Sequence, residues 1–384
     1  MKIVADENIP LLNQFFGDWG ELNLLPGKAI THEVIREADV LLVRSVTPVT
    51  ASLLRGSRVQ FVATATAGTD HVDVEWLEKQ GIGFAHAPGS NAESVVEYVL
   101  TALLHLTARY KTTLRGKTVG VVGVGEIGRR LIPRLEALGC RVLQNDPIRA
   151  LHEPGNWVDL KDLLQQSDVV TFHVPLTRSG PFPTYKLIHK NNLQWLKKGG
   201  WIVQASRGGV IDEAALADGL DCGLVGAAIL DVWENEPNFN PDLVARCHLA
   251  TPHIAGYSYD GKLKGSEMVY DAFLHFFGLM KQSKTIRQEM PALFTLHIPA
   301  REFTEVVYLQ VLSQAMYDLP ADDTRFRALL PLPPDTRALA FHALRKSYPT
   351  RYRFGRYALA SPVPPLWNHA IWEGLCLNTH HPPI

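Results

Sequence analysis

The sequence predicts an α/β protein built on a doubly wound parallel sheet. Three observations carry this. Between about residues 117 and 256, short apolar runs alternate with helix-spaced stretches, one run per strand–helix unit. One run, Val119 to Gly123, opens into Gly123-x-Gly125-x-x-Gly128, and a helical face of Ile127, Leu131, Ile132, Leu135 and Leu138 follows. The next apolar run, Arg141–Gln144, ends at Asp146, about twenty residues past the glycines.

A glycine triplet alone is also found in ordinary turns and in kinase phosphate loops. The kinase reading needs HRD and DFG triplets downstream, and the chain has neither. With strand, helix and acid in register, the triplet reads as a dinucleotide site. Gly123 allows the tight turn, Gly125 lets backbone approach a pyrophosphate, and Gly128 lets helix and strand pack closely. The helix start at Glu126 and Ile127 offers N–H groups and a positive dipole end to the phosphates. Asp146 accepts hydrogen bonds from ribose hydroxyls and repels a 2′-phosphate, which selects NAD over NADP; Arg149 nearby works against that preference.

A chain of 384 residues is long enough for two or three domains. A net charge of −1 gives no global field for nucleic acid or an anionic membrane. The start, MKIVADENIP, lacks the apolar core of a signal peptide, and no apolar run has membrane-spanning length. The four cysteines, Cys140, Cys222, Cys247 and Cys376, form no C-x-x-C pair and fit reduced, mostly buried thiols of a cytoplasmic protein. Neither a metal-ligand cluster nor an internal repeat is visible.

Residues 2–5, 39–43 and 60–64 read as short parallel strands of a separate α/β unit. The loops after two of them, Arg44–Thr47 and Thr64–His71, are candidate substrate contacts, because ligands in open α/β sheets sit beyond the carboxyl ends of strands; they read equally well as turns. Residues 90–110 predict a long, mostly buried helix opening on a capping-box spacing, with His105 a packed histidine. Further strands are expected at 168–172, 200–204, 227–231 and 248–250. Residues 257–285 read as helical, with Met268, Val269, Phe273, Phe276 and Phe277 marking an apolar face that returns to the first unit. From 290 onward proline becomes frequent and the alternation fades. Between Asp335 and Tyr357, six basic residues stand against one acid, interleaved with aromatics; a solvated face or a subunit interface is expected there rather than nucleic-acid binding.

Three loops at successive strand ends carry the remaining chemistry: Ala205-Ser206-Arg207-Gly208-Gly209, Asp231-Val232-Trp233-Glu234-Asn235-Glu236-Pro237 and Thr251-Pro252-His253-Ile254-Ala255-Gly256-Tyr257. Each polar residue alone is more often a solvated loop side chain than a catalyst. Together, beside a dinucleotide, they suit a 2-hydroxy acid. Arg207 clamps the carboxylate and polarises the forming carbonyl, His253 takes the hydroxyl proton, and Glu236 holds the imidazole tautomer.

On these motifs the first 285 or so residues resemble the D-isomer-specific 2-hydroxyacid dehydrogenase family, whose arginine, glutamate and histidine fall on Arg207, Glu236 and His253. Ala63–Asp73, the His-Ile-Ala-Gly-Tyr run at 253–257 with Gly261-Lys262, and about a hundred further residues narrow the resemblance to members that oxidise 4-phosphoerythronate to 2-oxo-3-hydroxy-4-phosphobutanoate in pyridoxal phosphate synthesis. The resemblance implies a flavodoxin-like substrate domain (1–95, completed by 257–285), a Rossmann NAD-binding domain (96–256) and an α+β C-terminal domain (286–384) that makes a homodimer. It further implies substrate contacts from Ser45, Thr66 and Tyr257, and an NAD site lined by Ala205, Ser206, Arg207, Asp231 and Gly256, with Val174 contributing through its backbone. Two domains about one cleft imply hinge closure. Two alternatives stand beside this reading: another substrate on the same machinery, such as 3-phosphoglycerate, and an NAD-sensing regulator of the corepressor kind.

Overall fold

The computed structural model describes residues 1–280 and 293–377. The chain divides into two compact units, Met1–Glu93 with Tyr257–Pro291, and Ser94–Gly256 with Ala292–Ile384.

The first unit is a five-stranded parallel sheet of β1 (Lys2–Asp6), β2 (Glu21–Leu25), β3 (Val40–Val43), β4 (Phe61–Thr64) and β5 (Gly83–His86), ordered β2-β1-β3-β4-β5. The central strands are apolar on both faces because helices cover both. Ile3, Ala5, Leu42, Phe61 and Ala63 pack with Val269 and Phe273 of the helix Tyr259–Phe276, while Val4, Leu41, Val43 and Val62 pack with Ile35, Leu54 and Leu77. The strand order reverses between β1 and β3, which puts the loop at Ser45 at the topological switch point. The sequence reading lacks β2 and β5. β2 is an edge strand with no buried residue, and β5 is only half-buried, so neither carries a clean apolar run. Phe276, expected in the core, is 44% exposed, yet its ring fills the space where a Cβ on Gly83 would sit.

In the second unit, β6 (Thr118–Val122), β7 (Arg141–Asn145), β8 (Val169–Phe172), β9 (Gly200–Gln204), β10 (Val225–Leu230) and β11 (Leu249–Ala250) form a parallel sheet ordered β11-β10-β9-β8-β6-β7. A parallel bridge, Gln144 to Trp157, extends it beyond β7. The chain reverses direction across the sheet between β6 and β8, so the glycine loop after β6 and the loop after β8 flank the switch point. The long helix Ala92–Arg109 buries Val95, Val96, Val99, Leu100 and Leu103 against this layer, with His105 half-buried.

Residues 293–377 group with this second unit. Their helices, Glu305–Met316, Leu319–Arg327 and Pro334–Lys346, and the two-stranded parallel sheet of β12 (Phe294–Leu296) and β13 (Tyr357–Leu359), lay apolar side chains on its core. Tyr308 and Leu312 join one side of the core; Phe326 and Phe341 join Trp233 and Phe239 on the other, with the Phe239 and Phe326 centroids 4.6 Å apart. Asp323 Oδ1 accepts from Ala250 N at 2.7 Å, and Arg327 donates to the carbonyls of Val244 and Cys247. The basic, aromatic stretch 335–357 is therefore not simply a solvated face: Phe341, Arg351 and Phe354 are buried.

Among the described residues no helix is long and apolar enough to cross a membrane, and no group of His, Cys, Asp and Glu is placed to hold a metal. The cysteines are free, but only Cys140 and Cys247 are buried. Burial pushes the Cys140 thiol up to about 12 and that of Cys247 further. The native protein is therefore expected to label at exposed Cys222 first with a thiol reagent at pH 8, and at Cys140 and Cys247 only after unfolding. Peptide mapping of the labelled protein reads the order.

Candidate active site

The glycine loop has the geometry its spacing predicts. Gly123 sits at φ 88°, where a side chain is strained, and a Cβ there would lie 2.7 Å from His173 O. A Cβ on Gly128 would collide with Gly123 O, so the helix Gly128–Ala137 packs down on β6 only because the residue is glycine. Gly125 has nothing within 4 Å of its Cβ direction, which leaves its backbone open to a ligand. Asp146 follows directly on β7 and uses its carboxylate locally: Oδ2 accepts from Val124 N at 3.0 Å and Oδ1 from Arg149 N at 3.1 Å, capping the short helix Pro147–Ala150. Arg149 is engaged too, with Val124 O and the Glu153 carboxylate. An open glycine backbone at a switch point, a helix start and an acid at the next strand end fit a dinucleotide of the NAD type.

His173, which sequence reasoning passed over, precedes Val174 on the facing loop. Its Nε2 shares a 3.0 Å hydrogen bond with Thr171 Oγ1, and burial pushes the imidazole down to about 3, so it stays neutral.

The three polar loops follow β9, β10 and β11, adjacent strands that run parallel, so all three emerge at the edge where the glycine loop lies. After β9, Ser206 N and Oγ both reach Gln204 Oε1, and Gln204 Nε2 donates to Arg207 O at 3.1 Å, which fixes the backbone of Ala205–Arg207. Arg207 is partly exposed, with Nη1 donating to Ser206 O at 2.9 Å. Gly208 lies where a Cβ would strike Trp233 O, so the β9 and β10 loops touch through backbone.

After β10 and β11 the structure brings Glu236 and His253 together. Glu236 Oε2 meets His253 Nδ1 at 2.7 Å, while Oε1 accepts from Trp233 N at 2.9 Å. Burial raises the Glu236 carboxyl, but His253, the Trp233 N–H and Arg345 outweigh it and hold the group below the usual carboxylate range. An ionised carboxylate only accepts, so Nδ1 carries the proton and Nε2 carries the basic lone pair. His253 itself sits at φ 58°, a left-handed conformation that disfavours side chains.

Asp231 imposes that conformation. Its Oδ1 accepts from Thr251 Oγ1 at 2.6 Å and Ile254 N at 2.8 Å, its Oδ2 from Ala255 N at 2.9 Å, and its carbonyl from His253 N at 2.7 Å. The sequence places Asp231 among the NAD contacts; in the structure the residue is 1% exposed and its carboxylate is bonded to the catalytic loop. Thr251 Oγ1 gives its proton to Asp231, so the Tyr98 hydroxyl, 2.7 Å away, donates to it, and Trp233 Nε1 holds Thr251 O at 3.0 Å. Tyr98 and Thr251 had no sequence signal beyond lying in an apolar helix and before a Pro-His pair.

The expected substrate contacts lie in the first unit. Ser45 is exposed after β3. Thr66, after β4, donates to Gly68 O at 2.8 Å and lies 2.8 Å from Thr64 Oγ1. The Tyr257 ring centroid lies 5.2 Å from Lys262 Nζ. Burial, then the nearby Arg44 guanidinium, hold the Lys262 ammonium below the ordinary lysine range.

Residues 102–255 match the D-isomer specific 2-hydroxyacid dehydrogenase, NAD binding domain. The chain is 46% identical to the erythronate-4-phosphate dehydrogenase of Pseudomonas syringae pv. syringae over 91% of its own length and 92% of that protein. The chain belongs to the D-isomer specific 2-hydroxyacid dehydrogenase family. Its identity to the erythronate-4-phosphate dehydrogenase of Salinibacter ruber is 44%, over 98% of each chain. The family fold is shared with the crystal structure of D-lactate dehydrogenase from Aquifex aeolicus complexed with NAD and lactic acid, with a TM-score of 0.61 and 23% identity, over 72% of this chain and 96% of that one.

Asp231→Asn leaves the amide nitrogen facing donors. It is expected to lower kcat at least about tenfold, read as NADH absorbance, since a misplaced catalytic group costs that order. Burial pushes the Asp231 carboxyl up to about 6, against His253, Thr251 and the two N–H groups. The folded value lies above the unfolded one, near 4, so Asp231's contribution to stability is full below about pH 4 and is lost as pH rises through about 6. The stability gap between wild type and Asp231→Asn therefore narrows from pH 5 to pH 8 in urea titrations.

Proposed function

We propose that the protein oxidises 4-phospho-D-erythronate to (R)-3-hydroxy-2-oxo-4-phosphobutanoate in the cytoplasm, as a step of pyridoxal 5′-phosphate formation. The observation that carries the dehydrogenase chemistry is the 2.7 Å contact between Glu236 and His253 Nδ1, on loops adjacent to the one that bears Arg207. Identity to erythronate-4-phosphate dehydrogenases over nearly the whole chain supports the substrate.

In this reading Arg207 grips the substrate carboxylate with its planar fork and draws electron density from the C2 oxygen. His253 Nε2 accepts the C2 hydroxyl proton as the carbonyl forms, and Glu236 stabilises the imidazolium that results. When bound at the glycine loop, NAD supplies the acceptor for the C2 hydride. Gly123, Gly125, Glu126, Ile127 and Gly128 would hold its pyrophosphate, Asp146 its ribose, and Val174, Ala205, Ser206 and Gly256 the remaining wall. Ser45, Thr66 and Tyr257 contact substrate. The cationic pair Arg44 and Lys262 beside Tyr257 favours a phosphorylated substrate over a plain hydroxy acid. The chain assembles as a homodimer through its C-terminal segment, where Leu339 and Leu366 are 69% and 88% exposed; light scattering at twice the chain mass is the expected result.

Arg207→Ala is expected to abolish turnover while NAD still quenches tryptophan fluorescence; turnover at the wild-type rate removes Arg207 from its role. His253→Ala is expected to cost roughly 100-fold or more in kcat. With purified protein, NAD and a carbonyl trap, kcat/KM for 4-phosphoerythronate should exceed that for 3-phosphoglycerate by at least about tenfold. The reverse order assigns the site to the three-carbon phosphate, and an NAD-dependent protein partner without any turnover assigns the chain to regulation.

A further inference from the structure

Arg351 comes from the basic stretch that the catalytic reading leaves unused. It is 6% exposed, and its guanidinium lies on the Tyr317 ring, 4.2 Å from the centroid. Its Nη2 donates to two carbonyls, Ser94 O and Ala255 O, both at 2.8 Å. These positions are special in the chain. Ser94 is the first residue of the second unit, and Ala255 is the last but one before the chain leaves it at Gly256. One side chain from the C-terminal segment thus pins both points at which the backbone crosses between units.

Ala255 is also the end of the catalytic loop. Its N–H is held by Asp231 Oδ2 and its C=O by Arg351, so the residue two places after His253 is gripped from both sides. A charged donor on a buried carbonyl is among the stronger hydrogen bonds available, and a planar guanidinium reaches two carbonyls without reorganising. Glu97 lies in the same buried cluster, and its Oε1 accepts from Phe354 N at 2.8 Å.

We propose that Arg351 is a positioning residue: by tying Ala255 to Ser94 it fixes the left-handed turn at His253 and makes the C-terminal segment part of the catalytic framework. This rests on His253 as the base in the proposed reaction. The test compares Arg351→Met, Arg351→Lys, Glu97→Gln and His253→Ala by steady-state kinetics and thermal melting. Arg351→Met is expected to lower kcat at least about tenfold with KM for NAD within about twofold of wild type, since the glycine loop is untouched. Arg351→Lys, which keeps the charge and donors, restores part of kcat. Glu97→Gln changes the melting temperature but leaves kcat within about twofold. The proposal is overturned if Arg351→Met keeps wild-type kcat, or if Glu97→Gln lowers kcat as much as Arg351→Met does. Should Arg351→Met not fold, the neutral and shorter Arg351→Gln takes its place: wild-type kcat together with a loosened melt reduces Arg351 to a packing role. An unimpaired His253→Ala overturns the base assignment instead, and separates that failure from this one.

Discussion

One buried carboxylate organises the catalytic edge of this protein. Asp231 gathers a hydroxyl and two backbone N–H groups from a single five-residue loop, and its own carbonyl takes a third N–H. The sheet makes this possible. β10 and β11 pair in parallel with Leu230 beside Ala250, so the residues just past each strand, 231 and 251, come level as the ladder ends. The loop then has no strand to pair with, and an anion with converging donors replaces the missing ladder. Burying that charge is unfavourable, and only a full set of donors offsets it. The loop is thereby forced into the left-handed turn that presents His253 to Glu236.

The remaining parts of the site are arranged around this anchor. Trp233 serves twice: its backbone N–H fixes Glu236, and its indole fixes Thr251. The β9 loop meets the β10 loop through Gly208 with no side chain between them. Tyr98 reaches Thr251 from the long helix, and the C-terminal helices close over Trp233 with Phe326. Each polar contact is local, but each is carried by an element whose apolar face is buried in the same core.

The legible parts of the fold are those where burial is complete. Strands covered on both faces appear as apolar runs, and the glycine triplet appears because a strained φ, an open approach and a tight packing contact each exclude a side chain. Glu236 and His253 were legible through the chemistry of their residue types at successive strand ends. What escaped detection has physical reasons. β2 and β5 lack buried runs. Asp231 looks like any acid after a strand, since nothing in its neighbours' identities reveals that its partners are backbone N–H groups. The stretch 335–357 looks solvated because its arginines outnumber its acids, yet Arg351 is satisfied by main-chain carbonyls, which leave no mark in a sequence. Residues 281–285 of the expected helical stretch, residues 286–292 and 378–384 of the expected C-terminal domain, and the Glu302 side chain lie outside the described residues.

The double duty of Asp146 has a consequence for how the nucleotide preference can change. The same carboxylate proposed to meet the ribose also latches Val124 N in the glycine loop and caps the helix behind it. Arg149, the cation best placed to welcome an extra phosphate, is already neutralised by Glu153. A lineage drifting toward the phosphorylated nucleotide would have to shed two acids and find a new latch for the loop, with the first loss weakening the site before the second could help. The preference is thus protected less by repulsion at one position than by the structural work that position performs.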